Sequence, residues 1–333
     1  MSVPRAMFAL EDESLVAELF DASSLSRLRG LVDLGDHVLT RENPRPPDAA
    51  APTEILLTGW GAPRFDAEML EALPRLRAVF HAAGSVKSVV SPALWERGIR
   101  VSSSADANSV PVAEYTLAMI LLSAKNALES ALSFRRTHDM SLSRPRGEVG
   151  AYGITVGVVG ASRIGRRVLE LLRPFDIATV LYDPSLSTSD AAALGTTLVS
   201  LRDLLRASDI VSLHAPSLPE THRMIATPEL AAMRDGATLI NTARGTLVDT
   251  DALVNELVAG RLRAVLDVTD PEPLPAGHPL FTAPGVTLTP HIAGSIGNEL
   301  RRMGRQTVDE VERFVMLDTL RFEVHHRDLA TIA

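Results

Sequence analysis

Six short apolar runs rich in β-branched residues alternate with helix-forming segments in the second half of the chain. The runs lie at 154–159, 178–182, 210–214, 237–241, 264–268 and 286–289. Continuous apolar runs of this length are typical of parallel strands that are covered by helices on both faces. Ser200, Thr227 before Pro228, and Asp249 or Thr250 mark helix starts between them. The pattern predicts a doubly wound α/β domain.

A glycine-rich sequence, GASRIG, occupies residues 160–165 directly after the first of these runs. In a strand–loop–helix context Gly160 forms the tight turn, Gly165 lets the helix pack on the strand, and the helix N-terminus binds a pyrophosphate. Ser162 stands where the usual motif has a glycine that lets backbone approach phosphate. The loop alone leaves two readings open, a dinucleotide site and a plain strand-to-helix turn.

Asp183 follows Gly160 by 23 residues, at the end of the next apolar run. A carboxylate at that place accepts hydrogen bonds from an adenosine ribose diol and repels a 2′-phosphate. We therefore expect NAD(H) in preference to NADP(H). The alternative is that Asp183 only caps the turn that contains Pro184 and Ser185.

The first hundred residues show a looser alternation of strand and helix patterns. Strands are expected at 6–10, 37–39, 55–58, 78–81 and 99–102, and helices at 15–20, 65–73 and 93–98. This predicts a smaller, flavodoxin-like α/β domain. An amphipathic pattern over 300–317 predicts one long helix that returns the chain to it. The expected organisation is thus a discontinuous substrate domain, 1–111 and 295–333, with a cofactor domain, 112–294, inserted in it.

Composition excludes several classes of function. The formal net charge of −8 argues against nucleic-acid and anionic-membrane partners, and the absence of cysteine excludes disulfides and thiolate chemistry. The first residues lack the pattern of a secretory signal, so we expect a cytoplasmic protein. The apolar segment 112–128 is interrupted by Glu114, Lys125 and Asn126 and is too short to span a bilayer. It predicts a buried or interface helix, and we expect a homodimer through it.

Three further segments place polar residues at the ends of predicted strands, where open α/β sheets bind ligands. They are NTARG at 241–245, LDVTDPEP at 266–273 and TPHIAG at 289–294. NSVPVAEY at 108–115 and HAPSLPET at 214–221 complete the set. Together with the glycine loop, these motifs closely resemble the D-2-hydroxyacid dehydrogenase family, the relatives of D-3-phosphoglycerate dehydrogenase and glyoxylate/hydroxypyruvate reductase. The resemblance runs from about residue 55 to the C-terminal helix. It implies a Rossmann-type NAD domain.

The resemblance also implies a catalytic triad. Arg244 matches the substrate arginine of the family, Glu272 its carboxylate and His291 its acid/base. The residue types suit the reduction of a 2-oxo acid, which needs a cation for the carboxylate and a group that donates a proton near neutral pH. Glu272 beside His291 would favour the imidazolium and orient the ring. The remaining histidines form no ligand cluster in the sequence, and we expect no metal site.

Cofactor and substrate contacts are implied in the same way. Residues that match family positions on the cofactor are Gly160, Ser162, Arg163, Ile164, Gly165, Asp183, His214, Pro216, Thr221, Thr242, Ala243, Arg244, Asp267, His291 and Gly294. HAAGSVK at 81–87 takes the place of a glycine loop whose amides hold the substrate carboxylate. The expected substrate contacts are Trp60, Ala83, Gly84, Ser85, Asn108 and Arg244. The implied partner is a small anionic 2-oxo or 2-hydroxy acid.

Two departures from the family pattern are Ser162 in the glycine loop and Thr269 in place of an aromatic residue. Neither removes a catalytic group. The leading hypothesis is an NAD-dependent D-2-hydroxyacid dehydrogenase that works largely as a 2-oxoacid reductase. One alternative is a non-enzymatic NAD(H) sensor of the corepressor type, which would need only the cofactor loop. Another is a formate dehydrogenase-like enzyme, since Asn108 resembles the formate-binding asparagine of that branch, although Glu272 replaces its glutamine.

Overall fold

The computed structural model describes residues 3–147 and 149–330. Within that range the chain divides into a first unit that runs to Ser109 and resumes at Ser295, and a second unit, Val110–Gly294. The predicted domain limits at residues 1 and 333 lie outside the described residues. The strands are β1 Arg5–Ala9, β2 Asp33–Leu39, β3 Ile55–Thr58, β4 Ala78–His81, β5 Arg100–Ser103, β6 Thr155–Val159, β7 Ala178–Tyr182, β8 Thr197–Leu198, β9 Ile210–Leu213, β10 Thr238–Asn241, β11 Arg263–Leu266 and β12 Val286–Leu288.

Helices connect most of these strands, whereas the links from β2 to β3 and from β11 to β12 contain only a 3₁₀ turn. The helices are α1 Ser14–Leu19, α2 Ala22–Leu31, α3 Ala67–Glu71, α4 Pro92–Glu96, α5 Ala105–Ala124, α6 Ala127–Thr137, α7 Met140–Ser143, α8 Arg163–Leu172, α9 Thr188–Ala193, α10 Leu201–Ala207, α11 Thr227–Ala232, α12 Thr250–Val258 and α13 Leu300–Leu317. Short 3₁₀ turns occur at Asp48–Ala50, Pro219–Thr221, Gly245–Leu247, Pro279–Phe281, Gly297–Glu299 and His326–Ala330.

The first unit contains a five-stranded parallel sheet in the order β2-β1-β3-β4-β5. This is the strand order of the flavodoxin-like class, as predicted. Helix α13 occupies the residues predicted for it, and its Met303 and Phe314 belong to the same buried cluster as Phe8 and Phe80 of the sheet. The returning helix therefore completes the core of the first unit.

The second unit contains a seven-stranded parallel sheet in the order β12-β11-β10-β9-β6-β7-β8. The six predicted strands are confirmed within one to two residues, and β8 is an additional two-residue edge strand. Two buried clusters cover the sheet, and one of them includes Ala113 and Ile120 of α5. Ser200 and Asp249 accept the backbone N–H bonds that cap α10 and α12. The predicted fold class, two parallel α/β sheets with one unit inserted in the other, is confirmed.

The single helix predicted for 112–128 is wrong at both ends. Helix α5 begins seven residues earlier, at Ala105, and ends at Ala124, and α6 starts at Ala127. Asn126, one of the polar residues that interrupt the apolar segment, has a left-handed backbone, with φ of 50°, and the first helix ends before it. Among the described residues no single helix is long and apolar enough to cross a bilayer, whereas α5 and α6, bent by 58°, pass the same test of length and composition as a pair.

Candidate active site

The loops that follow the strands of the second unit leave the carboxyl ends of those strands and lie along one edge of the sheet, because all seven strands are parallel. The strand order reverses at β6, which has β7 on one side and β9 on the other. Open α/β sheets bind ligands at such a reversal. Every site residue predicted in this unit follows one of these strands, so the fold brings the glycine loop and the three polar segments to a common edge.

The glycine loop follows β6 at the reversal. Gly160 has a φ of 96°, which favours glycine, and a Cβ on it would lie 2.7 Å from the backbone nitrogen of Ala215. A Cβ on Gly165 would lie 2.1 Å from the carbonyl oxygen of Gly160. Both distances are far shorter than a real Cβ contact. The first and third positions of the motif therefore require glycine, for the turn and for the packing of α8 on the loop.

Ser162, at the middle position of the motif, is the N-cap of α8. Its Oγ accepts a hydrogen bond from the N–H of Gly165 at 3.3 Å. The N–H groups of Arg163 and Ile164, the first helical residues, have no acceptor within the helix. Aligned peptide dipoles and these N–H groups make the start of a ten-residue helix suitable for a phosphate. The loop therefore fits the pyrophosphate of a dinucleotide, and the side chain of Ser162 caps the helix.

Asp183 lies at the end of β7 and contacts the glycine loop directly. One carboxylate oxygen accepts the N–H of Ala161 at 2.7 Å, and the other accepts the backbone N–H of Ser185 at 2.9 Å and its hydroxyl at 2.6 Å. Burial by itself raises the pKa of Asp183, but the hydrogen bonds from Ser185 and Ala161 outweigh it and hold the pKa below its usual value. The two sequence readings are therefore compatible, since an ionised Asp183 caps the turn and stands beside the dinucleotide loop.

The loop after β9 contains a buried histidine and a turn that is held by a side-chain hydrogen bond. His214 is 3% exposed, its Nε2 pairs with Ser212 Oγ at 2.9 Å, and burial lowers its pKa to about 3. Its ring lies inside the unit, which leaves its backbone as the part of the residue next to Gly160. Thr221 Oγ1 donates to the carbonyl of Pro216 at 2.6 Å and fixes the turn that follows. The predicted cofactor contacts of this loop stay predictions.

Arg244 follows β10 in a loop that a single asparagine holds. Asn241 Nδ2 donates to the carbonyl of Arg244 at 2.9 Å, and its Oδ1 accepts the N–H of Ala243 at 3.1 Å. Thr242 and Ala243 are buried, and Arg244 is partly buried. Burial lowers the pKa of Arg244, and the negative charge of Glu272 opposes that shift. This places a cation, partly withdrawn from water, on the edge that carries the cofactor loop.

Glu272 and His291, from the loops after β11 and β12, form a direct pair. His291 Nδ1 lies 2.6 Å from Glu272 Oε1, and the side chains are 51% and 42% exposed. His291 has a left-handed backbone, with φ of 55°. The peptide bonds before Pro271 and Pro273 are both cis. The structure thus brings the three predicted catalytic residues to neighbouring loops, and the pair leaves Nε2 of His291 available to a ligand.

Asp267 holds the loop that carries His291. It is 2% exposed, and its carboxylate accepts the Thr289 hydroxyl at 2.7 Å and the N–H groups of Ile292 at 2.8 Å and Ala293 at 2.9 Å. Its carbonyl accepts the N–H of His291 at 3.0 Å. For Asp267 the resemblance implied a cofactor contact, and the sequence left open that a buried aspartate at a strand end only caps a loop. The structure adds a role in which one buried carboxylate fixes most of the loop before Gly294.

Two neighbouring residues of α5 that the sequence did not single out also reach these loops. The Tyr115 hydroxyl lies 2.8 Å from Thr289 Oγ1, and Thr116 Oγ1 lies 3.0 Å from Thr242 Oγ1. Tyr115 closes the quoted motif NSVPVAEY, but nothing in its spacing identifies a partner more than 170 residues away.

The predicted substrate residues belong to the first unit, apart from Arg244. Ala83 is fully buried, and Gly84 lies under Asn108, whose Nδ2 would be 3.4 Å from a Cβ on that glycine. Asn108 Oδ1 accepts the N–H of Ser295 at 2.9 Å. Ser85 is half-buried, and Trp60, after β3, is 38% exposed.

The loop that begins at His81 is tied to the sheet by that histidine. His81 Nδ1 lies 2.9 Å from Thr58 Oγ1, and the ring also hydrogen-bonds to the backbone of Ser85. Burial lowers the pKa of His81 to about 4 in spite of that bond. A neutral, buried ring therefore connects β3 to the loop that contains Gly84.

Comparisons with known proteins agree with this arrangement. A family model for the NAD binding domain of the D-isomer specific 2-hydroxyacid dehydrogenases matches residues 117–293. The chain is 37% identical over 264 residues to the D-3-phosphoglycerate dehydrogenase of Mycobacterium bovis, covering 79% of this chain and 49% of that protein. It thus spans about half the length of that relative. It is 34% identical over 261 residues to the glyoxylate reductase of Aeropyrum pernix, covering 75% of this chain and 77% of that protein. The D-mandelate dehydrogenase of Rhodotorula graminis has a similar structure, with a TM-score of 0.80 and 25% identity, over 97% of this chain and 98% of that one.

Proposed function

This chain belongs to the D-isomer specific 2-hydroxyacid dehydrogenase family, and we propose that it is an NAD(H)-dependent D-2-hydroxyacid dehydrogenase that acts mainly as a 2-oxoacid reductase. The observation that carries the proposal is the pair of His291 Nδ1 and Glu272 Oε1 at 2.6 Å, on the same sheet edge as the partly buried Arg244. A sensor of dinucleotide would need the glycine loop but neither this pair nor the arginine.

The three residues divide the work of reducing a 2-oxo acid. Bound nicotinamide supplies the hydride that the carbonyl carbon accepts. Arg244 binds the substrate carboxylate through its planar, always-charged fork and stabilises charge on the carbonyl oxygen. His291 donates a proton from Nε2 to that oxygen during reduction and accepts one during oxidation. Glu272 stabilises the imidazolium through Nδ1 and fixes the ring orientation.

The cofactor would lie on the loops along the carboxyl edge of the second unit. The N–H groups of Arg163 and Ile164 would bind the pyrophosphate, and the loops that contain Pro216, Thr242 and Gly294 would bind the nicotinamide half. The position of Asp183, at the end of β7 and hydrogen-bonded to the glycine loop, supports NAD(H) over NADP(H), because a carboxylate there accepts from a 2′-hydroxyl and repels a 2′-phosphate.

The substrate would be a small anion with a 2-oxo or 2-hydroxy group. Backbone amides around Gly84 and Ser85, next to Ala83, would hold its carboxylate, and the amide of Asn108 would add a hydrogen bond. Trp60, at 38% exposure, is available to cover an apolar substituent. We retain the sequence prediction of a cytoplasmic protein without nucleic-acid or membrane partners.

We also propose a homodimer, with an interface shifted from the predicted 112–128 helix towards α6 and α7. Large apolar side chains are exposed on these helices: Leu132, Phe134, Met140 and Leu142. A patch of this kind favours association through a surface that is its own partner. Sedimentation at micromolar concentration would test it, and a stable monomer would refute it.

The activity test is NADH oxidation with a panel of glyoxylate, hydroxypyruvate, pyruvate, phenylpyruvate and longer 2-oxo acids. We expect turnover with at least one of them, faster with NADH than with NADPH, and loss of turnover in a His291→Gln variant that still binds NADH. Tight NADH binding without turnover on any of these acids would instead support the sensor function. Oxidation of formate with NAD⁺, in the absence of 2-oxoacid reduction, would support the formate dehydrogenase alternative.

A further inference from the structure

Helix α5 contacts two of the site loops through consecutive residues. Tyr115 reaches the histidine loop, residues 289–294, and Thr116 reaches the arginine loop, residues 241–245. Both contacts lie within the second unit. Each contact joins one hydroxyl of the helix to one hydroxyl of a loop, at 2.8 Å for Tyr115 and 3.0 Å for Thr116. The helix therefore holds both loops by hydrogen bonds of defined geometry.

The direction of the bonds in the histidine loop follows from the carboxylate. Thr289 has one hydroxyl proton and donates it to Asp267 Oδ1 at 2.7 Å. The Tyr115 hydroxyl must therefore be the donor to Thr289 Oγ1 at 2.8 Å. Burial raises the pKa of Tyr115, although its hydrogen bond to Thr289 acts in the opposite direction, so the phenol keeps its proton. The result is a chain of bonds from Tyr115 through Thr289 to Asp267.

Asp267 transmits this restraint to the residue that does the chemistry. Its backbone carbonyl accepts the N–H of His291, and its carboxylate holds Ile292 and Ala293 on the other side of the histidine. His291 also has a left-handed backbone, which is strained for a residue other than glycine. A looser loop would let this strain relax. Loss of the Tyr115 bond would leave the Thr289 side chain held by Asp267 alone and would loosen one end of this loop.

Thr116 acts on the other loop. It is fully buried and pairs with Thr242, which is 6% exposed and stands two residues before Arg244. Asn241 already brackets the loop on the other side, through the carbonyl of Arg244 and the N–H of Ala243. The hydroxyl of Thr116 therefore holds Thr242, and Asn241 holds the two residues that follow it.

We propose that Tyr115 and Thr116 are positioning residues, Tyr115 for the acid/base His291 and Thr116 for the substrate-binding Arg244. The inference rests on the proposed function of those two residues. It predicts a split in kinetic effect between neighbouring positions of one helix. Loss of the Tyr115 hydroxyl affects proton transfer and lowers kcat, whereas loss of the Thr116 hydroxyl affects substrate binding and raises KM for the 2-oxo acid.

The test compares hydroxyl-deleting variants with variants that keep the hydroxyl. In Tyr115→Phe and Thr289→Val we expect kcat to fall by about tenfold, equivalent to about 1.4 kcal/mol, with NADH affinity and KM for the 2-oxo acid within about twofold of wild type. Thr289→Ser keeps the hydroxyl and should keep most of the rate. Thr116→Val should raise KM for the 2-oxo acid about fivefold with a smaller effect on kcat. Thr116→Ser keeps the hydroxyl and should have a KM close to that of wild type.

Tyr152→Phe is the matched control, because Tyr152 is 87% exposed and loses the same hydroxyl away from the loops. Melting temperatures separate these effects from a general loss of fold. If wild type reduces a 2-oxo acid and Tyr115→Phe has the same kcat, or if Thr289→Ser is as impaired as Thr289→Val, the positioning role is refuted while the proposed function stands. If wild type reduces none of the acids, the proposed function is refuted and the positioning role falls with it.

Discussion

The close approach at Gly165 makes a sharp prediction about cofactor binding. In Gly165→Ala the new Cβ would lie 2.1 Å from the Gly160 carbonyl oxygen, whereas ordinary van der Waals contact begins near 3.4 Å. The obstacle is backbone, and Gly160 is itself pressed against the backbone of Ala215. Helix α8 would therefore have to move away from the loop by more than 1 Å, as judged from these distances.

The expected cost follows from two opposing terms. Overpacking of a tight site costs about 1–3 kcal/mol, and the better helix propensity of alanine returns up to about 1 kcal/mol. We expect a net loss of about 1–2 kcal/mol in the free energy of unfolding. The shift also moves the N–H groups of Arg163 and Ile164, and the loss of one hydrogen bond to a charged phosphate, about 1.5–3 kcal/mol, would raise the Kd for NADH by tenfold or more.

Gly30→Ala is the matched control for this experiment. Gly30 is also helical, in α2, and a Cβ on it would have no atom within 4 Å. We expect this variant to be neutral or stabilised by up to about 1 kcal/mol, with unchanged NADH binding. The assays are denaturant unfolding and NADH fluorescence titration of both variants and wild type. An NADH Kd for Gly165→Ala within twofold of wild type would refute the reasoning, as would an equal loss of stability in both variants.

Three further predictions concern charge. Arg244→Lys should raise KM for the 2-oxo acid by about tenfold, because an ammonium cannot form the bidentate pair; steady-state kinetics with an unchanged KM would contradict it. Glu272→Gln keeps an acceptor for His291 but removes the charge that favours the imidazolium, so the pH–rate profile should shift; an unshifted profile would remove that role from Glu272. His81 and His214, with pKa values lowered to about 4 and about 3, stay neutral when folded but take up protons when unfolded below about pH 6.5. Stability should thus be complete above that pH and fall by up to about 1.4 kcal/mol per pH unit for each histidine as the pH decreases towards 4, which denaturant unfolding at pH 7 and pH 5 would measure.

The sequence predicted those strands and helices whose first and last residues are set by their neighbours in the sequence. The strands Ile55–Thr58, Ala78–His81 and Ala178–Tyr182 match their predicted residues, because apolar runs bounded by polar or turn residues leave little choice of register. The helix Leu300–Leu317 also matches its amphipathic pattern. The break at Asn126 was missed because a polar residue inside an apolar helix pattern does not by itself indicate a left-handed backbone. The edge strand Thr197–Leu198 was missed because two residues carry no periodicity.

The site residues divide in the same way, into those that a sequence motif predicts and those that depend on contacts between distant parts of the chain. The pairing of Glu272 with His291 was expected from motifs, and so was the position of Arg244 after a strand. The contact between Tyr115 and Thr289 depends on the packing of a helix against a loop far along the chain, which no local pattern specifies. Ser162 is the intermediate case. Serine is a preferred N-cap, so its role at the start of α8 was available from the sequence, although the residue was interpreted there as a cofactor contact and as a departure from the glycine motif.

The Ser162 cap affects the thermodynamics of ligand binding as well as the helix. Because its hydroxyl holds the N–H of Gly165, the first turn of α8 is ordered before a dinucleotide arrives. An ordered loop loses little conformational entropy on binding. The same bond withholds one N–H from the phosphate and so reduces the enthalpy of binding. The loop is thus preorganised for a phosphate, and the conformational entropy that it saves and the N–H that it withholds act on the affinity in opposite directions.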